Sequence, residues 1–180
     1  MIKIYDDLLS KEDFSRLKNN FMNEMYPWFW SPILTPTIDF ESKCEDKYNW
    51  LFSNMLYDHN GPTHGGDFFM CIPLVDHPKL NIGQIHRIKI NLSPVLSEHI
   101  LYGFHTDMDP RKIKCTTAIF YLNNNNGWTE FEDGTKVESV ENRFVSFPST
   151  MMHSGVATTD TGMRCVINFN YTEKDNASNN

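Results

Sequence analysis

Between Ile85 and Leu92 the chain alternates without a break, and few local patterns restrict a fold more tightly. Ile88, Ile90 and Leu92 fall on one face, and Arg87, Lys89 and Asn91 on the other. A period of two belongs to a strand, and one apolar face opposite one polar face is how an antiparallel sheet reads when only one side packs on a core. More runs of this kind follow. Cys115–Leu122 reads as a buried strand with Thr117, Ile119 and Tyr121 on one face. Asn123–Trp128, with its four-Asn run, is a polar turn, and Glu141–Pro148 is a further strand. In the last strand, Met163–Tyr171, Arg164, Val166, Asn168 and Asn170 face away from Cys165, Ile167 and Phe169. With 180 residues and 40% hydrophobic side chains, one domain with a sizeable core is expected. The fold class is mainly β with flanking helices. Residues 1–80 form a helical or irregular support, 85–171 the β core and 173–180 a frayed tail.

The first third is less regular. Ser10-Lys-Glu-Asp13 is a capping box, and Phe14, Leu17, Phe21 and Met25 recur at helical spacing, so a helix is expected over 11–25. Its apolar stripe is core packing. Pro27 and Pro32 interrupt an aromatic stretch, which favours a short edge strand over 27–34 with Trp28 and Trp30 covering the core. Residues 35–66 carry no dominant period. The segment 58–66 has the turn chemistry of a loop, with His59 and His64 solvated in it, and a short helix is expected over 73–79.

Charge and cysteine usage weigh against some classes. A net charge of −7 opposes coating of nucleic acid, whose phosphates need a basic surface. Cys44, Cys71, Cys115 and Cys165 show no metal-like spacing, and a reducing, cytoplasmic setting suits them. No apolar run is long enough for a membrane span, and the N-terminus lacks the pattern of a signal peptide. Oligomeric state leaves no mark on the sequence.

The chemistry concentrates at Phe104-His105-Thr106-Asp107. On a strand, His105 and Asp107 would share a face. One more imidazole, for which His153 is the candidate, would complete a 2-His-1-carboxylate triad of the kind that holds Fe(II) with positions left open. Chance alone supplies roughly half of one His-x-Asp in a chain with this many His and Asp, so the motif needs its context. His99 competes with His105, but no carboxylate stands at strand spacing beside it. Asp109–Lys114 reads as a turn with three cations. Arg164, on the polar side of the last strand, offers a planar fork suited to a carboxylate.

The ordered set His105-Thr106-Asp107, Ile119–Asn123, Gly127, Asn142–Phe147, His153 and Gly162-Met163-Arg164 resembles the 2-oxoglutarate- and Fe(II)-dependent oxygenases of the prolyl 4-hydroxylase-like branch. It is similar to the short members found in phages, for which the compartment would be the host cytoplasm. The resemblance covers about residues 85–171 and implies a double-stranded β-helix, or jelly-roll, barrel. It further implies that His105, Asp107 and His153 hold Fe(II), that 2-oxoglutarate is the co-substrate with O2, and that ascorbate is a further candidate. Arg164 and Tyr121 would grip the far carboxylate of 2-oxoglutarate. Asn91 stands where the family often has a Tyr, and its amide offers a hydrogen bond there instead. The implied reaction is hydroxylation of a C–H bond, in a protein or peptide side chain such as proline or in a small molecule. The competing expectation is a non-catalytic, cupin-like jelly-roll module that binds a metal or ligand, against which His-x-Asp in place of His-x-His counts.

Overall fold

The computed structural model describes residues 1–32, 48–63, 67–109, 111 and 113–174. Two antiparallel sheets face each other. The larger contains β1 (Lys3–Tyr5), β2 (Phe29–Ser31), β3 (Leu51–Asp58), β4 (Gly61–Pro62), β5 (Ile82–Pro94), β6 (Thr116–Tyr121), β9 (Phe144–Pro148) and β11 (Met163–Glu173). Its order is β1-β9-β6-β11-β5-β3-β2, with β4 on β3. The smaller contains β7 (Trp128–Phe131), β8 (Lys136–Glu138) and β10 (His153–Gly155), in the order β10-β7-β8.

β11 lies between β5 and β6, so its two faces divide the molecule. Cys165, Ile167 and Phe169 join Ile88, Ile90, Ala118 and Phe120 in a core covered by Leu17 and Phe21 of α1 (Lys11–Phe21) and by Leu74 of α3 (Ile72–Val75). Each large side chain so buried contributes about 1.5–3 kcal/mol. On the opposite face Val166, Ile119 and Tyr121 pack with Phe131 and Val137 of the small sheet. The alternation expected for β5, β6 and β11 is therefore the alternation observed, and its polar side is the space between the sheets.

Several local expectations are corrected. The first helix stops at Phe21 rather than 25, because the Asn23 side chain donates to the carbonyls of Asn19 and Asn20 and Met25 is left 84% exposed. Ser10 does cap its start, accepting from the Asp13 N–H at 3.1 Å. Instead of one helix over 73–79 there are two single turns, α2 (Asp67–Met70) and α3. Pro78 disfavours helix at His77, so the second cannot run on. The support expected to be helical or irregular supplies β3, which pairs with β5 deep in the large sheet, and β5 itself starts at Ile82. The edge strand β2 leaves Trp30 exposed at 66% instead of covering the core, while Trp28 does pack against it. Glu173, placed in the tail, still belongs to β11; residues 175–180, Cys44 and His64 lie outside the described residues.

The N-terminus is tied to the barrel at Asn142, whose left-handed backbone (φ 60°) presents its amide to Leu9. That amide accepts from the Leu9 N–H and donates to the Leu9 carbonyl, both at 2.9 Å. No helix among the described residues is long and apolar enough to cross a membrane.

Candidate metal centre

His105 does not lie in a strand. It makes a single antiparallel bridge to His153, and the chain then bends at Asp107. Strand alternation, on which the sequence argument relied, is thus replaced by a bend that turns Asp107 back toward both imidazoles. The two histidines exchange backbone hydrogen bonds of 3.0 Å in each direction. This fixes their side chains next to each other, with ring centroids 4.9 Å apart. One ligand atom from each of His105, Asp107 and His153 lies within 4.8 Å of the others.

Both rings are oriented through Nδ1. That of His105 donates to the Gly103 carbonyl at 3.1 Å, and that of His153 to the Met151 carbonyl at 3.2 Å. A carbonyl can only accept, so each Nδ1 carries a proton, and Nε2 is the nitrogen that each ring has left to offer a metal. Burial, opposed by the nearby Asp107 charge, pulls His153 down to about 4, so its ring is neutral at ordinary pH. Phe147 and Phe131 pack around this ring at centroid distances of 4.8 and 6.3 Å.

Asp107 is held from the sheet. Arg87 Nη2 lies 3.0 Å from Oδ1, and Asn170 Nδ2 lies 3.5 Å from Oδ2. Burial alone would raise its pKa, but Arg87 and the two imidazoles outweigh it and keep the group well below the carboxylate range. Asn170 in turn accepts from Arg87 Nε at 2.9 Å and donates to Thr117 at 3.0 Å. Two imidazole nitrogens and one carboxylate match the donor set of a non-haem Fe(II) site.

Further along the same face of β11, Arg164 is buried at 6% exposure. Its Nε donates to Ser139 Oγ and its Nη2 to Thr129 Oγ1, both at 3.0 Å. The guanidinium sits 5.5 Å from the Tyr121 ring centroid, and the Tyr121 hydroxyl bonds Thr129 Oγ1 at 2.8 Å. No carboxylate among the described residues pairs with Arg164, and burial pushes its pKa down. Asn91 also lies on this inner face, opposite Val166, with a buried side-chain oxygen that has no donor.

Other candidates fall outside. His99 packs at a tilt against Trp128, ring centroids 4.8 Å apart, and bonds the Ala157 carbonyl, outside the cluster. His59 occupies the turn between β3 and β4. Arg111 pairs with Asp109, and Lys112 is not among the described residues. Thr129 and Ser139, which position Arg164, stand on β7 and next to β8, two strands too short to show a clear period. The signal was Asp133-Gly134 between two short β-type runs, a hairpin pattern, and Gly134 has a φ of 86°.

No protein-family model matches the sequence, and no curated protein matches it significantly. Solved structures do. A prolyl hydroxylase from Trichoplax adhaerens, solved with a hypoxia-inducible-factor peptide, aligns over 96% of this chain and 83% of its own at TM-score 0.60 and 15% identity. The fold is the jelly roll of the 2-oxoglutarate/Fe(II) oxygenases. A 2OG-Fe(II) oxygenase family protein from Burkholderia pseudomallei shares this jelly roll over 95% of this chain and 84% of its own, at TM-score 0.60 and 9% identity. So does the non-haem α-ketoglutarate-dependent epimerase SnoN of nogalamycin biosynthesis, over 96% of this chain and 76% of its own, at TM-score 0.64 and 9% identity.

Proposed function

We propose that this chain is a 2-oxoglutarate-dependent dioxygenase that uses Fe(II) and O2 to hydroxylate a C–H bond. One observation carries the reading: the same space between the sheets holds a three-ligand cluster and a buried arginine with no carboxylate partner among the described residues. A buried cation is costly without a counter-charge, and a dicarboxylate co-substrate would provide one. His105, Asp107 and His153 would hold Fe(II), which when bound supplies the oxidising chemistry.

The chain's own share is positioning. Arg87 and Asn170 hold the Asp107 carboxylate, the Gly103 and Met151 carbonyls set the tautomers, and Phe131 and Phe147 keep water from one side of His153. Arg164 would bind the distal carboxylate of 2-oxoglutarate. Tyr121 would contribute its ring face and hydroxyl, and Asn91 would offer its amide from β5. A protein or peptide side chain such as proline is our first choice of substrate, supported by the peptide in the Trichoplax adhaerens complex; a small molecule is the second. The described cysteines are free, which suits the cytoplasm.

Adding Fe(II) and 2-oxoglutarate without oxygen should produce the weak visible charge-transfer band of the chelate. Binding of metal without that band would instead support a non-catalytic jelly-roll module.

A further inference from the structure

The inner faces of β5 and β11 carry more positive charge than the proposed chemistry uses. Arg87, Lys89 and Arg164 all turn into the space between the sheets, and among the described residues the one carboxylate acting on any of them is Asp107. A divalent metal and a dicarboxylate co-substrate cancel each other, so loading the site leaves this excess in place. Arg87 is committed to Asp107 and Asn170. Arg164 is the anchor proposed above. Lys89 is left over, its side chain making no hydrogen bond or ion pair among the described residues.

Its surroundings suit an incoming anion. Arg87, Lys89, Asn91 and Asn168 are only partly buried, whereas Thr117, Tyr121, Arg164 and Asn170 on the same inner face are buried. Solvent therefore reaches the interior along β5 at Lys89. Asn168 is the cross-strand partner of Lys89, and Asn91 follows it on the same face. The Asn168 side-chain nitrogen has no acceptor among the described residues and can donate to a carboxylate, while its buried oxygen, which lacks a donor, can only accept and would take an N–H or O–H of the same ligand. Burial first, and Arg87 second, disfavour the charged form of Lys89, which a bound anion would relieve.

We propose that Lys89, beside its cross-strand partner Asn168, is a substrate subsite that binds a carboxylate. The substrate is thus an acid, either a free amino or organic acid or a peptide with an acidic side chain. This rests on the dioxygenase reading and narrows it, since that reading alone places no charge on the substrate.

The test is calorimetry on protein loaded with Zn(II), a redox-silent stand-in, and 2-oxoglutarate. The probes are free amino acids, the same compounds as carboxamides, and short peptides containing Asp or Asn at one position. At least one carboxylate probe should bind, its carboxamide should not, and Lys89→Met should weaken binding about tenfold or more. Lys89→Arg should retain binding, and circular dichroism should show both variants folded. Affinity for 2-oxoglutarate, titrated separately, should be the same in wild type and Lys89→Met. Preference for free acids over Asp peptides, or the reverse, identifies the source of the carboxylate. Equal binding of acids and carboxamides, no carboxylate probe bound, or loss of 2-oxoglutarate binding in Lys89→Met would each overturn the subsite. Absence of 2-oxoglutarate binding in wild type would instead sink the dioxygenase reading, while titration of metal-free protein with the same probes still reads the subsite.

Discussion

Arg87 and Asp107 form an ion pair that spans from β5 to the bend after His105, with Nη2 3.0 Å from Oδ1. The same oxygen lies 3.8 Å from His105 Nε2, so the arginine holds a prospective ligand atom in place. Arg87→Met should weaken Fe(II) binding by about 10- to 100-fold, the usual loss when a partner behind a metal ligand is removed. Competition with a fluorescent chelator measures it. Unchanged affinity would mean that Asn170 alone orients the carboxylate.

His105→Ala or Asp107→Ala should abolish stoichiometric Fe(II) binding and leave the circular dichroism spectrum intact, because neither side chain belongs to the apolar clusters that support the sheets. His99→Ala should leave the iron content unchanged, since that ring packs on Trp128. Iron lost in the His99 variant would mean the cluster is not the site.

Arg164→Lys keeps a charge but cannot bond Ser139, Thr129 and a carboxylate through one planar fork. Affinity for 2-oxoglutarate should fall roughly 10- to 100-fold, the equivalent of about 1.5–3 kcal/mol, with iron binding retained. Tyr121→Phe removes a hydroxyl that is already bonded to Thr129, so about 0.5–1.5 kcal/mol is the expected cost. Calorimetry that ranked Tyr121→Phe as the more damaging change would displace Arg164 as the anchor.

Metal-free protein should lose stability as pH falls from about 6.5 toward 4. His153 is held down to about 4 in the folded state, chiefly by burial, whereas an unfolded histidine protonates near 6.5. The unfolded chain therefore binds the extra proton first, and the stabilisation present above pH ~6.5 disappears across this window. Its size is about 3 kcal/mol at most. Urea midpoints across the window should fall more steeply in wild type than in His153→Gln.

How much of this was legible depended on whether a signal was local. The two faces of β5 and β11 follow from alternation alone, but alternation leaves the polar side of each, with Lys89 and Arg164, facing either solvent or a barrel interior. β3 was missed because a bulge between Met55 and Tyr57 breaks its period, and because buried Asn54 reads as a turn residue although its amide donates to the Pro27 carbonyl at 3.0 Å. The His105–Asp107 pair was found by an argument from strand geometry that the bend does not satisfy. The partnership of Arg87 with Asp107 joins positions twenty residues apart across an intervening loop, and no periodicity encodes it.

The backbone clasp between His105 and His153 ties the strength of the site to the closure of the barrel. Each of these residues shields the amide proton of the other, and the segments they join are held further along by the Tyr102 N–H to the Gly155 carbonyl, the Gly103 N–H to Ser154 Oγ and the Ala157 N–H to the Ile100 carbonyl. A cation bound by the two rings would lock the same seam from its side-chain face. Hydrogen–deuterium exchange at those two amides should then slow on loading while the centre of β11 stays as it was, giving a local gauge of occupancy that needs neither turnover nor colour.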